Sequence, residues 1–121
     1  MSLSPDRPVV AAYRDRIIDE IVRALGLSPS GRSRRLLGPL FRLPAGRFAR
    51  IIARADEAIR SEGLPGGARS VLHDLELEPV VRGAERIPAS GPLVVASNHP
   101  GAYDSLALMA STPRPALKVI L

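Results

Sequence analysis

The chain has 121 residues, enough for one modest domain. Apolar residues make up 45% of it and aromatic residues only 3%, so any core must consist mainly of Leu, Ile, Val and Ala. The absence of cysteine excludes disulfides, thiolate metal sites and a cysteine nucleophile, while the net charge of +5 comes almost entirely from arginine.

Two amphipathic helices are predicted in the first half of the chain. Over residues 8–25, apolar side chains recur every three or four positions, and Gly26 is expected to end this helix. Residues 46–62 repeat the pattern, and the GLPGG sequence at 63–67 is expected to stop the second helix. We therefore expect residues 1–74 to form a helical, basic N-terminal region.

The pattern changes near residue 75, where strands are predicted. Residues 75–88 alternate apolar and polar side chains, and residues 90–98 are a Val-rich run bounded by Gly-Pro. A short helix is expected over 104–111, closed by a Thr-Pro pair, and a further strand over 115–121. This order predicts an α/β fold in which amphipathic helices precede a βαβ-like unit. Because the last strand has no cap or polar tail, we expect a truncated domain.

The sequence NHPGAYD places a histidine and an aspartate at the turn between the second strand and the helix. Pro100 disfavours helical geometry at His99, and Gly101 permits a sharp turn, so Asp104 falls at the start of the helix. A carboxylate beside an imidazole fixes the tautomer, and the second ring nitrogen can then accept a proton from a hydroxyl. The pattern indicates a general base.

A structural interpretation of the same residues stays open. Asp104 followed by Ser105 is an ordinary N-cap pair, and His99 can be a hydrogen-bonded residue at the end of a strand. The chain has no G-x-S-x-G sequence, which argues against a serine hydrolase. In the catalytic interpretation, the substrate supplies the reacting hydroxyl.

Residues 79–121 resemble the glycerol-phosphate and lysophosphatidate acyltransferase superfamily. The resemblance is carried by a V-x-G-x-E-x-I-P segment and an Asn-His-x4-Asp motif, namely Val81, Gly83, Glu85, Ile87, Pro88, Asn98, His99 and Asp104. It implies that residues 75–121 are the first part of an acyltransferase-type αβ domain. It also implies that His99 deprotonates the hydroxyl of a glycerol-phosphate or lysophospholipid acceptor, with Asp104 as its partner. The hydroxyl then attacks the thioester of acyl-CoA or acyl carrier protein, and no cofactor is required.

The chain departs from this family in lacking the later motifs. The arginine that binds the acceptor phosphate and a Glu-Gly-Thr-Arg-like segment are absent, and Arg114 comes too early to replace them. We therefore expect the chain alone to be incomplete and inactive.

A basic stretch precedes the motif and predicts an interfacial surface. Between Arg32 and Arg54 there are seven arginines and no acid, interleaved with apolar side chains. Apolar groups can enter the headgroup boundary while arginines meet lipid phosphates. The residues expected at the membrane are Arg34, Arg35, Phe41, Arg42, Arg47 and Phe48. Two alternatives are an ordinary packing helix with a solvated basic face and a nucleic-acid surface; the scarcity of aromatic groups argues against the latter.

These observations predict where the protein acts and what it binds, with one alternative. No signal peptide or uninterrupted apolar run of membrane-spanning length is present, so the protein is expected in the cytoplasm, peripheral to the inner face of the membrane. The expected partners are acyl-CoA or acyl carrier protein, a lipid acceptor and an anionic membrane surface; no metal and no nucleic acid is expected. The alternative is a non-catalytic, peripheral membrane-binding fragment.

Overall fold

The computed structural model describes residues 6–98, 101 and 103–119, which contain only helices and irregular segments. Helix α1 spans Arg7–Ala24, helix α2 spans Arg32–Asp74 and helix α3 spans Asp104–Ser111. One turn of 3-10 helix lies at Ala84–Arg86. No β-strand occurs in the described ranges, so the predicted α/β fold, with the first strands of an acyltransferase-type αβ domain, is wrong.

None of the predicted strands forms in the described residues, and one physical reason explains this. Residues 75–83 and 92–98 contain neither helix nor strand, and the same is true of residues 117–119. Val80 and Val94 are 86% and 93% exposed, so their side chains are almost fully open to solvent. A strand is stabilised by hydrogen bonds and side-chain pairs with a neighbouring strand, so β-branched composition alone does not form one.

The chain divides into two compact units, residues 1–54 and residues 55–121. The first unit contains α1 and the beginning of α2, and the division falls within α2. The boundary expected from the sequence, between residues 74 and 75, lies where α2 ends. That two-part domain assignment stays a prediction.

Helix α1 confirms the first predicted amphipathic helix. Pro8 lies in its first turn, where the missing N–H removes no helical hydrogen bond. At the other end, Gly26 has a φ of 74° and donates its N–H to the carbonyl of Arg23 at 2.8 Å. The N–H of Leu27 donates to the carbonyl of Val22 at 3.1 Å. These bonds form a Schellman motif, which confirms Gly26 as the end of the helix.

A small apolar core lies between α1 and the first part of α2. Ile18 and Val22 of α1 are buried with Ala45 of α2, and Leu37 and Phe41 pack against this cluster. Full burial of a branched side chain contributes about 1.5–3 kcal/mol. The alanine-lined face of α2 consists of buried small residues four positions apart, Ala45, Ala49 and Ala53.

Three prolines lie inside α2, and the chain stays helical through the first two, Pro39 and Pro44. Pro39 and Pro44 have no N–H, so the carbonyls of Arg35 and Leu40 lack the donor that an ordinary residue would supply four positions later. The helix is retained because residues on both sides, including Phe41, pack on the core. Core packing therefore offsets a local sequence preference against helix.

The GLPGG sequence interrupts α2 at Gly63, where two helical segments meet at a kink, so the predicted stop after residue 62 is confirmed. Gly63 has a φ of 72° and a ψ of −172°, outside the helical region. A Cβ at this position would overlap the carbonyl oxygen of Pro115, so the close approach of these two backbones requires glycine. Pro65 follows in the first turn after the kink, where a proline is well tolerated. The helix then resumes up to Asp74.

Glu76 follows the end of α2 in a left-handed conformation that glycine adopts more easily. Its φ is 56°, its N–H donates to the carbonyl of His73 at 3.0 Å, and the N–H of Leu77 donates to the carbonyl of Leu72 at 2.9 Å. Glu76→Gly is expected to raise the free energy of unfolding by about 1 kcal/mol, because this conformation costs an L-residue about 1–2 kcal/mol. Urea unfolding followed by circular dichroism measures the change. Glu76→Ala is the matched control, and equal stability of the two variants would contradict the prediction.

Candidate functional site

Asp104 is the first residue of α3, as the sequence predicts. Its Oδ2 accepts a hydrogen bond from the backbone N–H of Gly101 at 2.6 Å, so the carboxylate bridges the turn before the helix. A negative charge in the first turn of a helix is also favoured by the helix dipole. The Gly101 N–H therefore holds the Asp104 carboxylate in a defined place.

His99 lies outside the described residues. Asn98, directly before it, is exposed. On the other side of the turn, Tyr103 is 50% exposed and makes no side-chain cap to α3. The pairing of His99 with Asp104 stays a prediction from the sequence.

The end of α3 is stabilised by two hydroxyl groups. Ser111 Oγ donates to the carbonyl of Ala107 at 2.6 Å, and Thr112 Oγ1 donates to the carbonyl of Leu108 at 2.8 Å. Thr112 is only 2% exposed and is the C-cap of the helix. The predicted closure of this helix at the Thr-Pro pair is confirmed.

Arg114 joins the segment after α3 to the segment before the motif. Its Nε donates to the carbonyl of Pro88 at 2.8 Å, its Nη1 to Gly91 at 2.7 Å and its Nη2 to Ser90 at 2.7 Å. The planar guanidinium can make all three bonds at once. Arg114 thus closes the loop that contains the Asn-His-x4-Asp motif, a positioning role that the sequence did not indicate.

The four arginines predicted to face a membrane are exposed, but their surroundings differ. They are Arg34, Arg35, Arg42 and Arg47. Arg34 lies against α1, with its Nε 3.0 Å from Asp19 Oδ1 and its Nη2 3.8 Å from Asp15 Oδ1. The Asp19 oxygen is buried and at ion-pair distance, although the angles are not those of a hydrogen bond. Arg34 therefore carries a partly neutralised charge.

The two phenylalanines predicted at the membrane lie in different environments. Phe41 is half-buried and packs on the core formed by Ile18 and Val22. Phe48 is 51% exposed. Of the two, only Phe48 is largely exposed, so one predicted aromatic residue lies at the surface and the other packs on the core.

Three leucines form an exposed row on α2 that the sequence did not distinguish from core. Leu36, Leu40 and Leu43 are 79%, 68% and 81% exposed, and their spacing places them on one side of the helix. Exposed arginines at helical spacing extend the row, and we call the set of six the leucine–arginine face: Leu36, Leu40, Leu43, Arg32, Arg47 and Arg50. A contiguous apolar row of this kind marks an interaction surface.

A cavity of about 650 Å³ lies in the second unit and is lined by the end of α2, residues 76–84 and the end of α3. Its apolar wall includes Leu72, Leu77 and Val81, and Arg69 stands at its rim. Arg69 Nη2 is 2.8 Å from Glu62 Oε2, so its charge is paired within the chain. The volume is in the range of small-molecule sites.

Comparison with family models, with curated proteins and with solved structures found no match for this chain. In the described part of the chain, no group of three or more His, Cys, Asp or Glu side chains is placed to hold a metal ion. None of the described helices is long and apolar enough to cross a membrane. The function must be inferred from the chain's own residues.

Arg114→Lys is expected to loosen the segment before the motif. A lysine ammonium cannot reproduce the three-carbonyl geometry of the guanidinium, so about 1–2 kcal/mol of local stability should be lost. Hydrogen exchange followed by mass spectrometry should show faster exchange over residues 88–98. Arg86→Lys, an exposed arginine outside this contact, is the control. Unchanged exchange over 88–98 in the Arg114 variant would contradict the positioning role.

Proposed function

We propose that this chain belongs to an O-acyltransferase of the phospholipid-synthesis type. The acyl group moves from the thioester of acyl-CoA or acyl carrier protein to a hydroxyl of a glycerol-phosphate or lysophospholipid. The observation that carries the proposal is the placement of Asp104 at the start of α3, with its carboxylate held by the Gly101 N–H, five positions after His99.

In the proposed reaction, His99 removes the proton from the acceptor hydroxyl. The hydroxyl oxygen forms a bond to the thioester carbonyl carbon, the carbon–sulfur bond breaks, and the thiolate leaves and takes up a proton. Asp104 accepts a hydrogen bond from the other ring N–H of His99 and stabilises the imidazolium. A base of this kind contributes about 10²–10⁴-fold in rate.

We also propose that the chain works at the cytoplasmic face of a membrane, which is where lipid acceptors are found. The leucine–arginine face supports this location, because three exposed leucines can enter the headgroup boundary while arginines meet anionic phosphates. Each arginine near an anionic surface contributes about 1 kcal/mol. Arg35 and Arg42 lie beside this face and add to its positive charge.

The second candidate is a non-catalytic protein that only binds membranes. It is favoured by one observation, the exposure of 79% at Leu36 and 81% at Leu43 on a helical segment without acids. This candidate shares the membrane surface with the first and requires nothing of His99. Acyl-transfer and vesicle-binding measurements therefore separate the two.

In an active protein that contains this chain, His99→Ala is expected to lower acyl transfer by at least about 100-fold, since the general base is lost. Release of coenzyme A from acyl-CoA in the presence of lysophosphatidate vesicles measures the rate. His73→Ala is the matched control, because His73 is the only other histidine and its side chain is 90% exposed. Asp104→Asn should also be severe, because an amide can leave the imidazole in the wrong tautomer. Near-normal turnover of the His99 variant would rule out the catalytic proposal.

Binding to anionic vesicles is expected to require both parts of the leucine–arginine face. Replacing Leu36, Leu40 and Leu43 with Ser should abolish co-sedimentation, and replacing Arg32, Arg47 and Arg50 with Gln should weaken it by about two orders of magnitude. Wild-type binding should weaken as salt rises. Arg34→Gln is the control, because the Arg34 charge is already paired with Asp19. Equal binding to neutral vesicles at every salt concentration would contradict an electrostatic contribution.

A further inference from the structure

An apolar groove lies between α1 and α2 within the first unit. Its walls are formed by Tyr13, Ile17 and Ile21 of α1 and by Phe48 and Ile52 of α2, and its volume is about 570 Å³. The whole sequence has two Tyr and two Phe residues, so this groove uses half of the aromatic side chains. Aromatic residues are enriched at the centres of protein interfaces, where they act as anchors.

The charges at the rim of the groove differ from those of the leucine–arginine face. Arg16 and Glu20 line the groove, lie one helical turn apart on α1 and are both exposed. The lining of the groove therefore carries one positive and one negative charge, and its electrostatics do not favour an anionic lipid surface or a nucleic acid. The groove instead matches a partner with an apolar surface and one charge of each sign.

A second copy of this chain has these properties. In a two-fold interface both copies use the same surface. If one residue contacts a second residue of the other copy, the reverse contact is made as well. If the two α1 helices run antiparallel, Arg16 of each copy faces Glu20 of the other. Glu20 pairs with Arg23 at 2.6 Å within the chain, but such exposed pairs are worth about 0–1 kcal/mol and are easily exchanged.

We propose that two copies of this chain pair groove to groove through α1 and the Phe48–Ile52 segment of α2. The resulting interface is a bundle of helices with the aromatic side chains at its centre and the Arg16–Glu20 pairs at its edges. The leucine–arginine face lies on a different side of α2 and stays exposed. The pairing is thus independent of membrane binding and of acyl transfer.

Sedimentation velocity of the full chain without lipid, over a range of concentrations, tests the proposal. The wild type should form a dimer. Arg16→Glu and Glu20→Arg should each weaken the dimer about tenfold or more, because each places like charges opposite each other at two symmetric positions. The double variant should restore dimerisation, because opposite charges again face each other across the two-fold axis.

Apolar substitutions test the centre of the interface. Phe48→Asp should abolish the dimer while circular dichroism shows unchanged helix content, and Val80→Asp, at an 86% exposed valine outside the groove, should leave it intact. A wild type that stays monomeric at all concentrations would overturn the proposal. A double charge reversal without rescue, or a dimer lost in Leu40→Asp and retained in Phe48→Asp, would also overturn it.

Discussion

The burial of Ile18 and Val22 against the alanine-lined face of α2 is the contact on which the first unit depends. Ala45 is buried in the same cluster, and this contact fixes which side of each helix faces the other. Once those sides are fixed, the three leucines can only point outward. The same arrangement opens the groove between α1 and Phe48. One packing contact therefore determines two apolar surfaces that differ in charge: the leucine–arginine face is cationic and the groove is neutral.

The helices could be predicted from the sequence because their signals are local. In α1, apolar side chains recur at helical spacing and Gly26 supplies the left-handed residue that ends the helix. The strands that the sequence predicted do not form in the described residues, because a strand also needs a neighbouring strand, which the local sequence does not specify. Val94 illustrates the difference, since its β-branched side chain favours a strand and yet is 93% exposed.

The candidate site was also predicted only where its signals are local. Asp104 was expected at the start of α3 because Pro100 and Gly101 act over a few residues. Arg114 was not recognised, because the carbonyls that it binds lie 23 to 26 positions earlier and leave no spacing pattern in the sequence. The apolar side chains of the 32–54 stretch were expected at an interface, but the sequence did not say which of them are exposed. A leucine at helical spacing indicates a buried face until the orientation of the helix is known.

The prolines within α2 limit how deeply this helix can enter a lipid bilayer. The carbonyls of Arg35 and Leu40 lack their usual helical donors because Pro39 and Pro44 have no N–H. In hydrocarbon, each unsatisfied backbone group costs several kcal/mol, whereas water or a lipid hydroxyl can satisfy it at headgroup depth. The two prolines thus limit how deeply the helix can insert. Acyl chains can cover the leucine side chains, while the helix backbone stays at the depth of the hydrated headgroups.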